Sequence, residues 1–184
     1  SRFQMMLWTV LILAGFLTLA LYNVDAGSTA PLSIAIPEEL WALMGISTAS
    51  LVGSPLVKST KEGQTPDPKE KNSNLQLLAE RFGYEKKELD SRGLIVVNKD
   101  PHLASWANLF MAEQTRNAGR LDLAKIQMFF FTIVLSIAYA FALGSLMTSE
   151  GSVVSSFPDL DAGALALIGI SHAGYLTNKA IPHS

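Results

Sequence analysis

The sequence predicts an all-α membrane protein with four transmembrane helices, arranged as two parallel-repeat helical hairpins, and a small cytoplasmic segment carrying an interfacial helix. Three observations predict it. The apolar residues fall in four blocks of spanning length, two pairs of short motifs recur in the same order, and basic residues avoid the connections inside each hairpin.

The 184 residues are 49% hydrophobic with a net charge of −2, and the apolar residues sit near 3–22, 38–57, 124–147 and 160–178. A helix needs ~20 such residues to cross the hydrocarbon core, and soluble-core helices are shorter and keep a polar stripe. Cysteine is absent, which excludes disulfides, thiolate metal sites and thiol nucleophiles. The first block follows Arg2 and precedes small residues near Ala26 to Ala30, as in a signal peptide. Its apolar run exceeds the usual ~7–15 residues of a signal core, so it is expected to be retained.

The repeat is read from the residues. Arg2 opens R-F-Q-M-M-L-W-T-V-L and Lys125 opens K-I-Q-M-F-F-F-T-I-V. Later, L-M-G-I-S-T-A-S-L (43–51) matches L-I-G-I-S-H-A-G-Y (167–175). Thr9 to Gly45 is 36 residues and Thr132 to Gly169 is 37. Shared Gln, Thr, Gly and Ser are not what generic membrane composition produces, so a duplicated two-helix unit is expected. The chain then divides into a first hairpin (1–57), a cytoplasmic linker and interfacial segment (58–123) and a second hairpin (124–184).

Orientation follows from charge. The connections 23–37 and 148–159 hold no Lys or Arg; all fourteen basic residues are Arg2, Lys179 or lie within 58–125. The positive-inside rule therefore places both termini and the central segment in the cytoplasm, and makes the repeat parallel rather than inverted.

The second helix of each unit is expected to start alike, with Pro37-Glu38-Glu39 and Pro158-Asp159-Leu160-Asp161. Proline suits a first helical turn, and carboxylates there face the positive end of the helix dipole. With Asp25 and Glu150, the residues Glu38, Glu39, Asp159 and Asp161 form an outer acidic rim without bases. It reads either as helix-start chemistry or as a cation-attracting mouth.

In lipid, helices associate through small residues. Gly45, Ala49 and Gly53 are spaced four apart, Gly169 and Ala173 repeat that face, and Ser136, Ala140 and Gly144 make a third stripe. Intramembrane polar residues are Gln4, Thr9, Ser47, Gln127, Thr132, Ser171 and His172. Interhelical hydrogen bonding is the expected role of the Gln, Ser and Thr side chains, with a solute path as the alternative. His172 stands where the first unit has Thr48; it reads as a packed, hydrogen-bonded neutral imidazole or as a site.

Residues 58–74 read as a flexible charged linker. Leu75 to Phe82 fits a short amphipathic helix stopped by Gly83, and Leu94 to Val97 a strand or buried extended piece. From Leu103 to Glu113, Trp106, Leu109, Phe110 and Met111 suggest an interfacial helix or a partner-docking face. Asn117-Ala118-Gly119 is a turn, and Asp122 a cap for the third span.

No G-x-x-x-x-G-K, H-E-x-x-H or G-x-S-x-G occurs, and Ser171 and His172, being adjacent on a helix, point about 100° apart. No carboxylate pair falls within a span. The expectation is a non-enzyme without cofactor or metal, whose partners are the bilayer and either its own copies or other membrane or cytoplasmic subunits, not nucleic acid. It would anchor or scaffold a larger membrane assembly; an oligomeric ion-conducting pore is the alternative.

The pairing of an Arg/Lys-x-Gln-Met-x-x-Trp/Phe helix start with a later Leu-x-Gly-Ile-Ser-x-Ala helix resembles a set of bacterial inner-membrane proteins without an established function. The resemblance covers residues 2–54 and 125–179. It implies a bacterial inner-membrane location and transfers no activity or site residue.

Overall fold

A computed structural model describes residues 2–83, 85, 89–98, 102, 105–148 and 152–182. Its elements in chain order are helix α1 (Arg2–Asp25), α2 (Glu38–Glu62), α3 (Pro68–Phe82), strands β1 (Leu89–Arg92) and β2 (Ile95–Asn98), a 3-10 turn (Trp106–Phe110), α4 (Leu123–Leu146) and α5 (Ala162–Ala180). Among the described residues, α1, α2 and α4 are long and apolar enough to cross a membrane. The protein is therefore mostly helical and of membrane type. Helix α5 has 19 residues and falls short of that apolarity, since Ser171, His172, Asn178 and Lys179 dilute it.

The chain forms two compact units. The first comprises residues 1–51 and 128–173. Its core gathers Trp8, Leu19, Leu40, Leu43, Tyr139, Leu143, Phe157 and Ile168 from all four long helices and a loop. Large apolar side chains also cover much of its outer surface. On α1, Met6, Val10, Leu13, Leu17, Leu21 and Val24 face outward at helical spacing, while Gln4 and Asn23 are buried. That inversion costs too much in water and is natural against lipid.

Close packing in this unit occurs at a glycine outside the expected stripes. A Cβ at Gly15 would come within 2.9 Å of the Leu143 side chain. The two helix connections also pair through their backbones. Ala35 and Ser156 form a parallel bridge, in which Ala35 N–H donates to the Ser155 carbonyl at 2.8 Å and Phe157 N–H to the Ala35 carbonyl at 2.9 Å. This extended pairing keeps 152–158 out of helix. Consequently the two second helices do not begin alike: α2 begins directly after Pro37, whereas α5 begins four residues after Pro158. Asp161 is instead the cap of α5, accepting Gly163 N–H at 2.8 Å.

The second unit comprises 52–127 and 174–184. Little of the expected flexible linker remains, because α2 continues to Glu62 and α3 already begins at Pro68. The reason is local: Asp67 accepts Lys69 N–H at 2.7 Å as N-cap, Pro68 occupies the first helical position, and Gly83 closes the helix at φ 69°. Leu75 and Leu78 bury the apolar face of α3 against Leu89. Strands β1 and β2 pair antiparallel around Gly93. Leu94 N–H then donates to the Lys61 carbonyl at 3.0 Å, closing the end of α2. Among the described residues, the expected interfacial helix is represented by the five-residue 3-10 turn; its expected start, Leu103, lies outside the described residues. Ser105 begins the turn by accepting Ala107 N–H, and Met111 leaves it in extended conformation to bridge Leu121.

Candidate functional site

The first unit buries an unusual set of polar side chains. Helix α1 places Gln4 and Trp8 one turn apart on one face, α2 supplies Ser47 and Ser50, and α5 supplies Ser171 and His172; all are at most 4% exposed. Both amide atoms of Gln4, Trp8 Nε1, the three serine hydroxyls and both His172 nitrogens have no hydrogen-bond partner among the described residues. Each such group costs about 1–3 kcal/mol when buried unpaired. Trp8 packs edge-on against Tyr139, with ring centroids 6.1 Å apart.

Among the described residues, Gln4, Ser47 and Ser171 thus do not form the expected interhelical bonds, and His172 lacks the hydrogen bond expected of it. Thr132 and Ser136 do satisfy themselves, donating to the Met128 and Thr132 carbonyls at 2.7 Å each. The repeat partners also diverge in placement. Gln127 is exposed where Gln4 is buried, Thr48 is exposed where His172 is buried, and Thr9 is half-buried. Only Ser47 and Ser171 are buried alike. Neutral donors and acceptors with one imidazole suit water or a small neutral polar solute better than a charged one.

Of the expected packing residues in this unit, Gly45, Ala49, Ala140 and Ala173 are exposed, and a Cβ at Gly45 or Gly144 would meet nothing within 4 Å. Gly169 packs on Ile46 at 3.7 Å from its ideal Cβ. In the second unit Gly53 packs on Leu176 in the same way at 3.5 Å. Glu38, Asp159 and Asp161 are exposed and Glu39 is half-buried; Glu150 lies outside the described residues. The docking residues do not share one face: Trp106 (85% exposed) and Leu109 point outward, while Phe110 and Met111 are half-buried.

The second unit holds a charged centre that the sequence reading passed over. Glu113 Oε1 pairs with Lys125 Nζ at 2.7 Å, and its Oε2 lies 3.7 Å from Lys58 and 3.8 Å from Lys179. Lys125 also donates to the Met111 carbonyl at 2.7 Å, and Lys179 donates to Ser54 Oγ at 2.7 Å and the Tyr175 hydroxyl at 3.1 Å. Lys61, 2% exposed, donates to the Ile181 carbonyl at 2.6 Å. Burial alone would raise the Glu113 carboxyl, but Lys125, Lys179 and Lys58 together outweigh it and hold the carboxyl down at about 2.

Asn23 was also missed. It is fully buried at the end of α1 and bonds the loop at Val154 and the Pro31 carbonyl. The available signal was an Asn at the end of an apolar block, ahead of a glycine turn. The lysines were visible only as topology markers, since 54 or more residues separate Lys125 and Lys179 from one another and from Lys58.

These features define a helical membrane protein with a buried neutral polar set in one unit and a lysine-rich ionic centre in the other. Comparison with protein-family models, with curated proteins and with solved structures gives no match to this chain.

Proposed function

We propose that this chain is a non-enzymatic four-span membrane subunit that anchors or scaffolds a larger assembly, with its termini and residues 58–123 on the cytoplasmic side. The observation that carries the proposal is the uncovered small-residue faces. Gly45 and Ala49 on α2, Ala140 on α4 and Ala173 on α5 are exposed, so the close-packing surfaces lie ready for another helix. Helix α5 serves as the fourth span. Its Ser171 and His172 are buried, its outward face carries Leu167, Ile170 and Ala173, and the exposed Thr177 and Asn178 fall in its last turn, so lipid meets an apolar surface before that turn despite the dilute composition. Nineteen residues reach about 28 Å, close to the hydrocarbon thickness. The parallel pairing at Ala35 and Ser156 supports a parallel repeat with both connections on one side.

The deciding experiment is native mass measurement of the full chain extracted in mild detergent, with Ala49→Leu and Ala140→Leu variants. Assembly with itself or with other polypeptides at fixed stoichiometry, lost in the variants, supports the proposal. A monomer in every detergent defeats it.

A second reading, an oligomeric pore, draws on the buried unpaired polar residues Gln4, Ser47, Ser50, Ser171 and His172 and on the outer carboxylates. It requires flux in liposomes that changes when Glu38, Glu39, Asp159 and Asp161 are neutralised. Absence of flux at every protein density removes it.

A further inference from the structure

Four lysines of the second unit line one narrow cleft: Lys58 and Lys61 from the last turns of α2, Lys125 from the first turn of α4 and Lys179 from the last turn of α5. Three are largely withdrawn from water. Lys61 is 2% exposed, and the Lys125 and Lys179 side chains are 10% and 14% exposed. Lys58, at 38%, stands at the mouth.

The same cleft holds two carboxylates, Glu113 and Asp122, so two positive charges are left over. Even that count understates the imbalance. Asp122 Oδ1 is committed to capping α4, accepting the Ala124 and Lys125 amides at 3.1 and 3.3 Å as well as Asn178 Nδ2 at 3.3 Å. Glu113 holds Lys125 tightly and reaches Lys58 and Lys179 only at 3.7 and 3.8 Å. Lys61 has no carboxylate within ion-pairing distance among the described residues, and its described hydrogen bond uses one of three ammonium donors. Gathering ammoniums away from water with too few counter-charges is costly, and an anion entering the cleft would relieve that cost.

We propose that this cleft binds a phosphate group, presented by an anionic phospholipid head or by a soluble phosphate. The donor set selects the chemistry. Ammoniums on flexible stems, arriving from three helices, act as point charges that can each take a different oxygen of a tetrahedral anion. Planar carboxylates are better matched by the arginine fork, and no arginine lines the cleft among the described residues. The lipid source rests on the four-span reading: Lys58 then follows the second span, Lys125 opens the third and Lys179 ends the fourth, all at the cytoplasmic headgroup level. Phosphate binding itself does not depend on that reading.

The test uses the full purified chain in detergent, titrated with phosphatidylglycerol, with phosphatidylcholine and with inorganic phosphate. Thermal midpoint and native mass are the readouts. Lys58→Gln lies at the mouth and leaves the buried packing intact, Lys61→Met removes the buried charge at similar volume, and Lys69→Gln on α3 is the control. Binding is expected to weaken roughly fivefold for each cleft lysine removed and to be unchanged in the control. A response to phosphatidylglycerol but not to inorganic phosphate assigns the lipid source; an equal response to inorganic phosphate assigns a soluble phosphate. No response to either overturns the proposal, as does a response that Lys58→Gln and Lys69→Gln alter equally. The native spectrum separates this outcome from the anchoring role: assembly without phosphate binding defeats the cleft alone, and binding without assembly defeats the scaffold alone.

Discussion

Asn23 and Val154, separated by 131 residues, exchange two hydrogen bonds: the Asn23 amide donates to the Val154 carbonyl at 2.8 Å, and Val154 N–H donates to Asn23 Oδ1 at 2.7 Å. A side-chain amide thereby takes the place of a strand partner for a buried loop residue. Asn23→Ala strands both backbone groups, and a loss of about 2–4 kcal/mol in thermal unfolding is expected. Unfolding at the wild-type midpoint would show that the loop finds other partners.

Gly93 is a second point of sensitivity. At φ 56° it turns between β1 and β2, and a Cβ there would strike the Lys61 and Glu62 carbonyl oxygens. Those atoms are backbone, so no side chain can move aside. Gly93→Ala is expected to cost about 1–3 kcal/mol or more through strain at positive φ and loss of the contact closing α2. Hydrogen exchange at Leu94, whose N–H donates to Lys61, reads the effect directly.

The Glu113 carboxyl sets a pH window. Its folded value is held at about 2, below the 4.5 of an unperturbed glutamate, so the unfolded chain binds its proton first as pH falls. Stability from this group is fully present above about 4.5 and is lost progressively towards 2. Glu113→Gln should flatten that part of the acid-unfolding curve and lower stability at neutral pH, where Lys125 loses its closest counter-charge. An unchanged curve between 4.5 and 2 would assign the acid transition to other carboxylates.

Ser47 and His172 distinguish the two functional readings. Their polar atoms are buried without partners, so removing them under the anchoring role relieves a cost. Ser47→Ala and His172→Leu are then expected to leave stability unchanged or raise it by about 1 kcal/mol. A fall of roughly 2 kcal/mol or more would mean that these groups are paired in the bilayer, and would favour a hydrated interior.

Much of the helical framework was legible because it depends on long apolar runs and local stop and start residues. Asp122 caps α4 and Gly83 closes α3 as their positions imply. The length of α2 was not legible from apolarity: its last turn is polar, and the contact closing it comes from Leu94, 33 residues beyond Lys61. The start of α5 was misread for a similar reason. Pro158 is favourable for a helix start, but pairing of Phe157 with Ala35 keeps that stretch extended. The polar residues show the same divide. Residue type and repeat position marked Gln4 and Gln127 as equals, whereas burial, set by which face meets the other helices, separates them. The lysine–Glu113 centre brings Lys58 and Lys179 to the Glu113–Lys125 pair from segments far apart in sequence, which no local pattern connects.

The bonds between Asn23 and Val154 also fix an order of events during synthesis. When residue 23 is added to the nascent chain, its partner is still 131 residues from being made, a wait of roughly 7–26 s at ordinary elongation rates. Through that interval the first two helices exist as an unfinished hairpin, with the Asn23 amide and the Ala35 backbone still lacking their later partners. Maturation of the beginning of the chain therefore waits on translation of its last third, and a nascent chain stalled before Val154 would present that open end to quality-control factors.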